Sequence, residues 1–450
     1  MMIDKDTIAA IATAPGPAAL SIVRVSGPET LEVVGRVFAG KRPAEMADHT
    51  IHYGHIVESS RRHLDEVVVS IFRAPKSFTA EDLAEITCHG GSAAAPLVLE
   101  AVLASGARLA RPGEFTLRAF LNGRIDLAQA EAVADIINAK TGAAVRAALD
   151  RLSGGLSRRV KAIRESLLDP AAQVETMVDF PEEDLPPDEA GQLRSQISGA
   201  LEQVERIIKD SRASMVLREG ARVVIAGRPN VGKSSLFNLL LREEKAIVAE
   251  QPGTTRDVLE GWIEVGGIPV RLFDTAGLRE TGDHIETQGV ARARDKLGQA
   301  DLVLLVLDGS ASIAEQDRAL LAETEGLNRL VLYNKCDLAP RAPREMGDGW
   351  IEISAVTEQG LPRLERAMIE GLTGGAEHEG SAAANARQIE ALRSCQSSLE
   401  GAIRGLDSGI SPELLAEELR AAIAALGQIT GQAIGDDVLN RIFSQFCIGK

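Results

Sequence analysis

The segment "GRPNVGKS", which runs from Gly227 to Ser234, limits the fold of this chain more than any other stretch. It fits the pattern G-x-x-x-x-G-K-[ST], and it stands between the strand-like "RVVIA" and the helix-like "SSLFNLL". In that context the pattern predicts a loop whose backbone N–H groups wrap a phosphate at a helix N-terminus. Lys233 then supplies a charge to the β- and γ-phosphates, and the Ser234 hydroxyl binds Mg²⁺. We therefore expect a nucleotide-binding α/β domain.

Apolar segments of strand length surround this loop and alternate with segments of helical periodicity. The expected strands are Val223–Ala226, Val270–Phe273, Leu302–Leu307, Leu330–Tyr333 and Trp350–Ile353. Such alternation is typical of a doubly wound parallel sheet with helices on both faces. The pattern ends near Leu372.

Four more motifs follow the phosphate loop in order and indicate a guanine nucleotide. In "PGTTRD", Thr255 can reach Mg²⁺ and the γ-phosphate, with Thr254 as the alternative. In "DTAG", Asp274 can hold Mg²⁺ through water, and Gly277 can offer its N–H to the γ-phosphate. In "NKCD", the Asp337 carboxylate can accept both N–H donors of guanine, and the later "SA" resembles a loop at guanine O6. The predicted GTP contacts are Asn230, Val231, Gly232, Lys233, Ser234, Ser235, Thr254, Thr255, Asp274, Thr275, Ala276, Gly277, Asn334, Lys335, Asp337, Ser354 and Ala355.

The residue after "DTAG" departs from the pattern of Ras-like GTPases. Those enzymes carry a glutamine there, which orients the attacking water. Here the residue is Leu278, whose side chain can neither donate to water nor accept from it. If this chain hydrolyses GTP, another group must orient the water.

Helical periodicity lies on both sides of the α/β unit. We expect an N-terminal α+β domain at 1–118, a helical domain at 119–217, a G domain at 218–374 and the second helical part at 375–450. An acidic, proline-rich loop, "DFPEEDLPPDEAGQ", interrupts the first helical part. Neither flank is long enough for a large core alone, so the economical arrangement is one helical domain with the G domain inserted into it.

Composition favours a soluble, cytoplasmic protein. The chain has 450 residues with 45% hydrophobic and 25% charged, and no apolar run reaches the ~18–20 residues of a membrane span. Its four cysteines form no C-x-x-C pair, so zinc sites and disulfides are disfavoured. The net charge of −16 argues against a general nucleic-acid coat protein but allows a local basic groove. One candidate is "VRAALDRLSGGLSRRVKAIRESL", which is either a tRNA or partner contact or a solvated helix face.

Several longer segments resemble one family. "RPGEFTLRAFLNGRIDLAQAEAVADII", "PGTTRDV", "DTAGLRE" and the terminal "FSQFCIGK" are similar to the bacterial tRNA-modification GTPases called MnmE or TrmE, and the similarity extends from "DTIAAIATAPG" to Lys450. The resemblance implies a multidomain α/β protein: an N-terminal α+β folate-binding and dimerisation domain, a helical domain, and an inserted Ras-like doubly wound P-loop G domain. It also implies a homodimer that works with MnmG, a partner using FAD and NADH, in a heterotetramer acting on tRNA. A 5-formyl or 5,10-methylene tetrahydrofolate would supply the carbon of an aminomethyl-type group added to carbon 5 of the wobble uridine.

The resemblance also assigns folate contacts to Arg24, Glu85, Arg124 and Lys450. A carboxylate suits the N–H donors of a pterin, and cations suit a formyl oxygen or a glutamate tail. An ordinary surface salt bridge is the alternative for each, above all for Arg124, where some members carry lysine. Cys447 is a candidate reactive thiol, with a packing role as the alternative.

For hydrolysis, the resemblance implies a K⁺ ion in place of a catalytic arginine. Its predicted ligands are Asn230, Ala249, Gln251 and Thr254. The predicted catalytic residue that orients water is Glu286, and Asp283 is the alternative if the register differs. A carboxylate that merely starts a helix is the competing interpretation of Glu286.

Two other function classes remain open from the residues alone. One is a regulatory GTPase switch of ribosome or membrane association without folate chemistry, and the other is a folate-dependent one-carbon transferase that GTP only regulates. The terminal C-I-G-K and the R-P-G-E-F-T-L-R-A-F block favour the tRNA-modifying enzyme, because a generic switch needs neither.

Overall fold

The computed structural model describes residues 6–58, 60–179, 187–242, 260–274, 297–338, 349–374, 384–432 and 434–449. The chain divides into two compact units. The first contains Met1–Ala134 together with Ile423–Lys450, and the second contains Asp135–Ala422. The end of the chain therefore belongs to the same unit as its beginning.

The first unit is built on a seven-stranded sheet with the strand order β3-β4-β5-β6-β2-β1-β7. The strands are β1 (Ile8–Ile11), β2 (Leu20–Ser26), β3 (Phe38–Ala39), β4 (Thr50–Val57), β5 (His63–Phe72), β6 (Leu83–His89) and β7 (Arg108–Leu109). The helices of this part of the chain are α1 (Thr30–Val37), α2 (Ala94–Ala104), α3 (Glu114–Leu121) and α4 (Leu127–Asn138), with a short 3-10 helix at Pro43–Glu45. Neighbouring strands are antiparallel except β1 and β7, which are parallel.

Alternation along β2 and β6 gives the sheet two different faces. Val23, Val25 and Ile86 are fully buried in one apolar cluster with α1 and α2. Burying a side chain of this size contributes roughly 1.5–3 kcal/mol. The intervening residues Arg24 and Glu85 point to the opposite face because successive side chains of a strand alternate. The apolar face thus holds the sheet together, while the opposite face carries the Arg24–Glu85 pair.

The C-terminal helix, Asp436–Phe443, packs in the first unit. Phe443 and Phe446 are buried in a cluster with Leu127. Gly113 has φ 67°, and a Cβ atom there would lie 2.4 Å from the Phe443 carbonyl oxygen, so glycine is needed at this contact. This glycine lies in the "RPGEF" segment noted above.

The second unit contains a six-stranded sheet with the order β13-β12-β11-β8-β10-β9. Its strands are β8 (Ala221–Ala226), β9 (Glu260–Val265), β10 (Ile268–Asp274), β11 (Leu302–Asp308), β12 (Arg329–Asn334) and β13 (Ile351–Glu352). Five strands are parallel, as predicted, but β9 pairs antiparallel with β10 and was missed. The reason is that β9, "EGWIEV", lies at the sheet edge and alternates polar with apolar residues instead of forming a continuous apolar run.

Helices cover both faces of this sheet, and further helices lie before and after it in the chain. They are α5 (Gly142–Leu152), α6 (Gly155–Ser166), α7 (Leu168–Asp179), α8 (Pro187–Glu219), α9 (Lys233–Arg242), α10 (Glu315–Glu323), α11 (Leu361–Thr373), α12 (Ala386–Ser408) and α13 (Pro412–Thr430). Residues of α9 and α11 join one core cluster, while Leu320 and Leu321 of α10 pack on the cluster of the other face. The predicted doubly wound fold class is confirmed.

The helical part is assembled from segments on both sides of the G domain. Helix α8 precedes the G domain and packs along α12, which follows it, with Arg194 and Asp407 paired at 2.8 Å. Helix α8 already begins at Pro187, so the last part of the segment predicted as an acidic loop is helical. Proline at the first helical position, followed by Asp188 and Glu189 in the first turn, favours a helix start there. Within the described ranges, no helix combines the length and apolar character that crossing a membrane requires.

Candidate functional site

The phosphate loop joins the end of β8 to the start of α9. Gly227 has φ 152°, and a Cβ there would lie 2.4 Å from the Val306 carbonyl oxygen. Gly232 has φ 98°, and a Cβ there would lie 2.1 Å from the Asn334 side-chain nitrogen. Both positions therefore require glycine for conformation and for space. The loop is held between the carboxyl ends of two neighbouring strands.

Ser234 and Asp274, the predicted Mg²⁺ residues of the described part, lie in contact. Strand β10 runs parallel to β8 with Asp274 opposite Ile225, so its carboxylate reaches the loop. The Ser234 hydroxyl donates to Asp274 Oδ2 at 2.9 Å, and Asp274 is only 1% exposed. A hydroxyl beside a buried carboxylate offers the hard oxygen ligands that Mg²⁺ prefers. The residues present fit that ion.

Asn334 connects the loops predicted to surround the nucleotide. Its side-chain nitrogen donates to the Val231 carbonyl oxygen at 2.8 Å, and its side-chain oxygen accepts from the Ala355 N–H at 2.9 Å. Ser354 is buried, and its hydroxyl accepts from the Thr357 N–H at 3.1 Å. The phosphate loop, the "NKCD" turn and the "SA" turn thus meet at one edge of the sheet.

Lys335 joins the phosphate loop to β11. Its ammonium group donates to the Asn230 carbonyl oxygen at 2.8 Å and to Asp308 Oδ2 at 2.7 Å. Burial raises the pKa of Asp308, but hydrogen bonds from Lys335 and Ser310 outweigh it and hold that pKa below its ordinary value. The Asp308 carboxylate is therefore ionised at neutral pH, and its contact with Lys335 helps to fix the carbonyl of Asn230.

Four predicted nucleotide contacts are exposed: Asn230, Ser234, Ser235 and Asp337. Ser235 lies in the first turn of α9, Asp337 follows the "NKC" turn, and the Asn230 residue has φ 65°. The Asn230 side-chain amide makes no hydrogen bond to another described residue, so it is open to a ligand. Several predicted residues lie outside the described part of the chain: Ala249, Gln251, Thr254, Thr255, Thr275, Ala276, Gly277, Glu286 with its alternative Asp283, and Lys450.

The first unit brings together Arg24, Glu85 and the end of the chain. Arg24 lies opposite Glu85 in the β2–β6 register, and two of its nitrogens donate to Glu85 Oε1 at 2.8 and 3.0 Å. A third nitrogen donates to the Gly449 carbonyl oxygen at 3.2 Å. Gly449 has φ 93°, and a Cβ there would lie 2.4 Å from the Ile11 carbonyl oxygen. The glycine of C-I-G-K thus allows the tail to approach β1 closely.

Phe78 stands between this pair and Arg124. The guanidinium carbons of Arg24 and Arg124 lie 5.3 and 5.1 Å from the centre of its ring, within cation–π distance. Arg124 also donates to the Phe78 carbonyl oxygen at 2.7 Å, and partial burial lowers its pKa. Sequence reasoning missed Phe78 and Gly449; only the C-I-G-K ending signalled the second.

The "RPGEFTLRAF" block proves to be a buried ion network next to that pair. Arg118 is 1% exposed and donates to Asp6 Oδ1 at 2.6 Å, to Glu114 at 3.1 Å and to Glu81 at 3.3 Å. Arg108 donates to the same Glu114 carboxylate at 2.7 Å. Burial raises the pKa of Glu114, but the hydrogen bonds from Arg108, the Arg111 N–H and Arg118 together lower it below its ordinary value. The block therefore contributes buried charges that stabilise the unit.

Cysteine and histidine side chains divide into buried and exposed groups. Cys88 is buried, and burial and the Asp65 charge raise its pKa to about 11, which fits a packing role. Cys447 is exposed, and its carbonyl oxygen accepts from the Gly113 N–H at 3.4 Å. His89 pairs with Asp65 at 2.6 Å, as a tethered turn residue does. In the part of the chain that is described, no three His, Cys, Asp or Glu residues cluster as a metal site.

The basic segment quoted above, which forms α5 and α6, has fewer unpaired surface cations than its sequence suggested. Arg151 is buried and pairs with Asp135 at 2.6 Å, so it is no surface cation. Arg159 pairs with Asp210 at 3.3 Å. Arg146 and Arg158 are exposed.

The sheet carries a phosphate loop with a glycine at each end and a serine–aspartate pair beside it. An asparagine links this loop to the turns expected at the base. Together these features define the Ras-like class of P-loop GTPases. Two family models specify it further: one described as the MnmE helical domain matches residues 127–447, and one described as the GTP-binding protein TrmE N-terminus matches residues 7–124. The chain belongs to the MnmE family of tRNA modification GTPases. The predicted family and the predicted enzyme class are thereby confirmed.

Full-length relatives agree with this assignment. The chain is 44% identical over 462 residues to the tRNA modification GTPase MnmE of Geobacillus kaustophilus, covering 100% of both chains. It is 47% identical over 463 residues to that of Heliobacterium modesticaldum, covering 99% of both chains. Among solved structures, the G domain of the T. maritima FeoB iron transporter is 33% identical, covers 34% of this chain and 98% of its own, and has a TM-score of 0.26. The assignment rests on the full-length relatives and the family models.

Proposed function

We propose that this chain is the K⁺-dependent GTPase of a complex that modifies carbon 5 of the wobble uridine in tRNA. A tetrahydrofolate, 5-formyl or 5,10-methylene, supplies the carbon of an aminomethyl-type group. An FAD- and NADH-using MnmG-like protein is the partner, and the chain acts in the cytoplasm as a homodimer within a heterotetramer. The observation that carries this proposal is the family similarity over the full length of the chain.

The geometry of the second unit supports GTP and Mg²⁺ binding. The Ser234–Asp274 contact supplies hydroxyl and carboxylate oxygens at the start of α9, where the helix dipole favours phosphate. The exposed Asp337 carboxylate follows the Asn334 turn and is available to the N–H donors of guanine. The open amide of Asn230 is a suitable oxygen ligand for K⁺.

The geometry of the first unit supports a folate site. Arg24 occupies only Oε1 of Glu85, and Oε2 accepts no hydrogen bond from another described residue. That oxygen is available to the N–H donors of a pterin ring. Arg124 is exposed and donates to the Phe78 carbonyl oxygen, so its guanidinium can also meet an anionic glutamate tail. Lys450, the next residue after Gly449 in the sequence, is proposed as a further folate contact.

Mass spectrometry of tRNA nucleosides tests the proposal. A strain that lacks the gene should lose the modified wobble uridine, and the intact gene should restore it. The Glu85→Gln gene should fail to restore it while its product keeps GTPase activity, because the folate contact is separate from the G domain. A full set of wobble modifications in the deletion strain would favour the regulatory-switch alternative instead. Full restoration of the modified wobble uridine by Glu85→Gln would contradict the proposed folate site.

A further inference from the structure

Arg228, the second residue of the phosphate loop, is fixed by a buried acid on another element. Its Nε donates to Asp317 Oδ2 at 3.0 Å. The Asp317 side chain is only 2% exposed, and that of Arg228 is 23% exposed. Nothing in the P-loop pattern requires this pair, because the motif leaves position 228 unspecified.

The carboxylate of Asp317 is held in one orientation. Its Oδ2 also accepts from the Ala314 N–H at 3.0 Å and so caps the start of α10. Its Oδ1 is buried and has no hydrogen-bond partner among the described residues. A carboxylate in such surroundings needs its cation, because an unpaired buried charge is costly. Arg228 is therefore held where α10 places it.

The backbone of Arg228 in turn holds the lysine of the phosphate loop. Lys233 is 7% exposed, and its ammonium group donates to the Arg228 carbonyl oxygen at 2.9 Å. The side chain of Arg228 thus faces α10 while its carbonyl faces the phosphate site. A displacement of this residue would displace the acceptor that orients Lys233.

A second acid, Asp308 at the end of β11, supports the same loop. Asp308 Oδ2 lies 3.8 Å from Arg228 Nη2 and accepts from Lys335, which also donates to the Asn230 carbonyl oxygen. The loop is thus held at residues 228 and 230 by side chains from three other segments.

We propose that Arg228 is a positioning residue for nucleotide binding. Its ion pair with Asp317 fixes the position of its own carbonyl oxygen, and that oxygen orients Lys233. The pair contributes to the affinity for GDP and GTP alike, because both carry the β-phosphate that Lys233 meets. It does not touch the reacting atoms, so turnover depends on it little. The inference rests on the proposed GTPase activity and on no other part of the proposed function.

The test compares Arg228→Ala, Arg228→Lys, Asp317→Asn and the Arg228→Ala/Asp317→Asn double variant of the full chain. Dissociation constants for fluorescent GDP and a GTP analogue are measured, together with KM and kcat for GTP. Loss of a charge-assisted hydrogen bond predicts a rise of about tenfold in both dissociation constants and in KM for Arg228→Ala. We expect kcat to change less than about threefold, and Arg228→Lys to recover only part of the affinity because it keeps the charge but not the guanidinium geometry.

Two comparisons separate positioning from a general loss of stability. Asparagine at position 317 can still cap α10 but loses the charge that holds Arg228. Asp317→Asn should therefore weaken binding in the same direction as Arg228→Ala, and the double variant should bind no more weakly than Arg228→Ala alone. Arg222→Ala, an exposed cation on β8, is the control and should bind GTP like the intact protein. Unchanged affinity in Arg228→Ala would overturn the inference. So would a fold-loss of affinity in the double variant equal to the product of the two single losses. Failure of the intact protein to bind GTP would instead overturn the proposed function.

Discussion

The guanidinium group of Arg24 donates to the carbonyl oxygen of Gly449 at 3.2 Å, although 425 residues separate the two in the sequence. Two other nitrogens of the same guanidinium donate to one carboxylate oxygen of Glu85. The end of the chain is therefore part of the surroundings of the proposed folate site. The backbone of Gly449 thus contributes to those surroundings.

Gly449→Ala should uncouple tRNA modification from GTP hydrolysis. The left-handed φ of 93° disfavours alanine, and the added Cβ would lie 2.4 Å from the Ile11 carbonyl oxygen. The tail must move, and Arg24 loses its carbonyl partner. We expect GTPase activity within about twofold of the intact protein but at least a tenfold loss of wobble modification, measured on the same preparations.

Gly435→Ala is the matched control for this change. Gly435 lies in the same C-terminal segment with φ −73°, and a Cβ there meets no atom within 4 Å. The control should modify tRNA normally. Normal modification by Gly449→Ala as well would show that the close approach of the tail has no role.

Asp337→Asn should change which base the G domain prefers. The carboxylate is proposed to accept two N–H bonds of guanine, and an amide cannot accept both. We expect GTP binding to weaken by about 2–4 kcal/mol and xanthosine triphosphate, which presents the complementary pattern, to bind better than GTP. Calorimetric titration with both nucleotides measures this. Equal GTP affinity before and after the change would reject the assigned base contact.

Hydrolysis should depend on K⁺ and on Glu286. Because Leu278 cannot orient water, the proposal assigns that task to Glu286 and the neutralisation of charge to K⁺. GTP turnover should be at least tenfold faster in K⁺ than in Na⁺ at equal ionic strength. Glu286→Ala should lose turnover while it keeps nucleotide affinity, and Asp283→Ala serves as the register control. Comparable rates in both salts, or loss only in Asp283→Ala, would contradict these assignments.

Glu114 should make the first unit less stable in acid. Its pKa in the folded chain is lowered, net of burial, by Arg108, the Arg111 N–H and Arg118, whereas the unfolded value is about 4.3. Its contribution is therefore fully present above about pH 4.3 and is lost as pH falls through the lower folded value. Glu114→Gln should cost roughly 2–4 kcal/mol at pH 7 and flatten the decline in acid, measured by denaturant titration.

The control for this prediction is Glu32→Gln. The Glu32 side chain is 74% exposed and pairs with Arg36 one helical turn away at 3.5 Å. An exposed pair of this kind contributes less than about 1 kcal/mol. If both variants lose the same stability, the buried network does not act as described.

The motifs of the G domain were predictable because each one is a continuous stretch with its own backbone geometry. "GRPNVGKS" contains its glycines, lysine and serine within eight residues, so strand, loop and helix could be placed before any contact was known. The central strands were predictable as well, because a buried parallel strand reads as a continuous apolar run. The edge strand β9 was not predicted because its residues alternate between polar and apolar and form no continuous apolar run.

The contacts between distant residues were decided only by tertiary structure. That Arg24 faces Glu85 follows from the register of β2 on β6, and a shift of one residue would turn both side chains to the other face. Arg151 looked like a surface cation by its spacing, yet packing buries it against Asp135. The sequence by itself determined the family, the nucleotide-binding class and the local loops, because those depend on neighbouring residues. Which charges are buried, and how the tail meets Arg24, depend on the free energy of packing the whole unit, which no single segment contains.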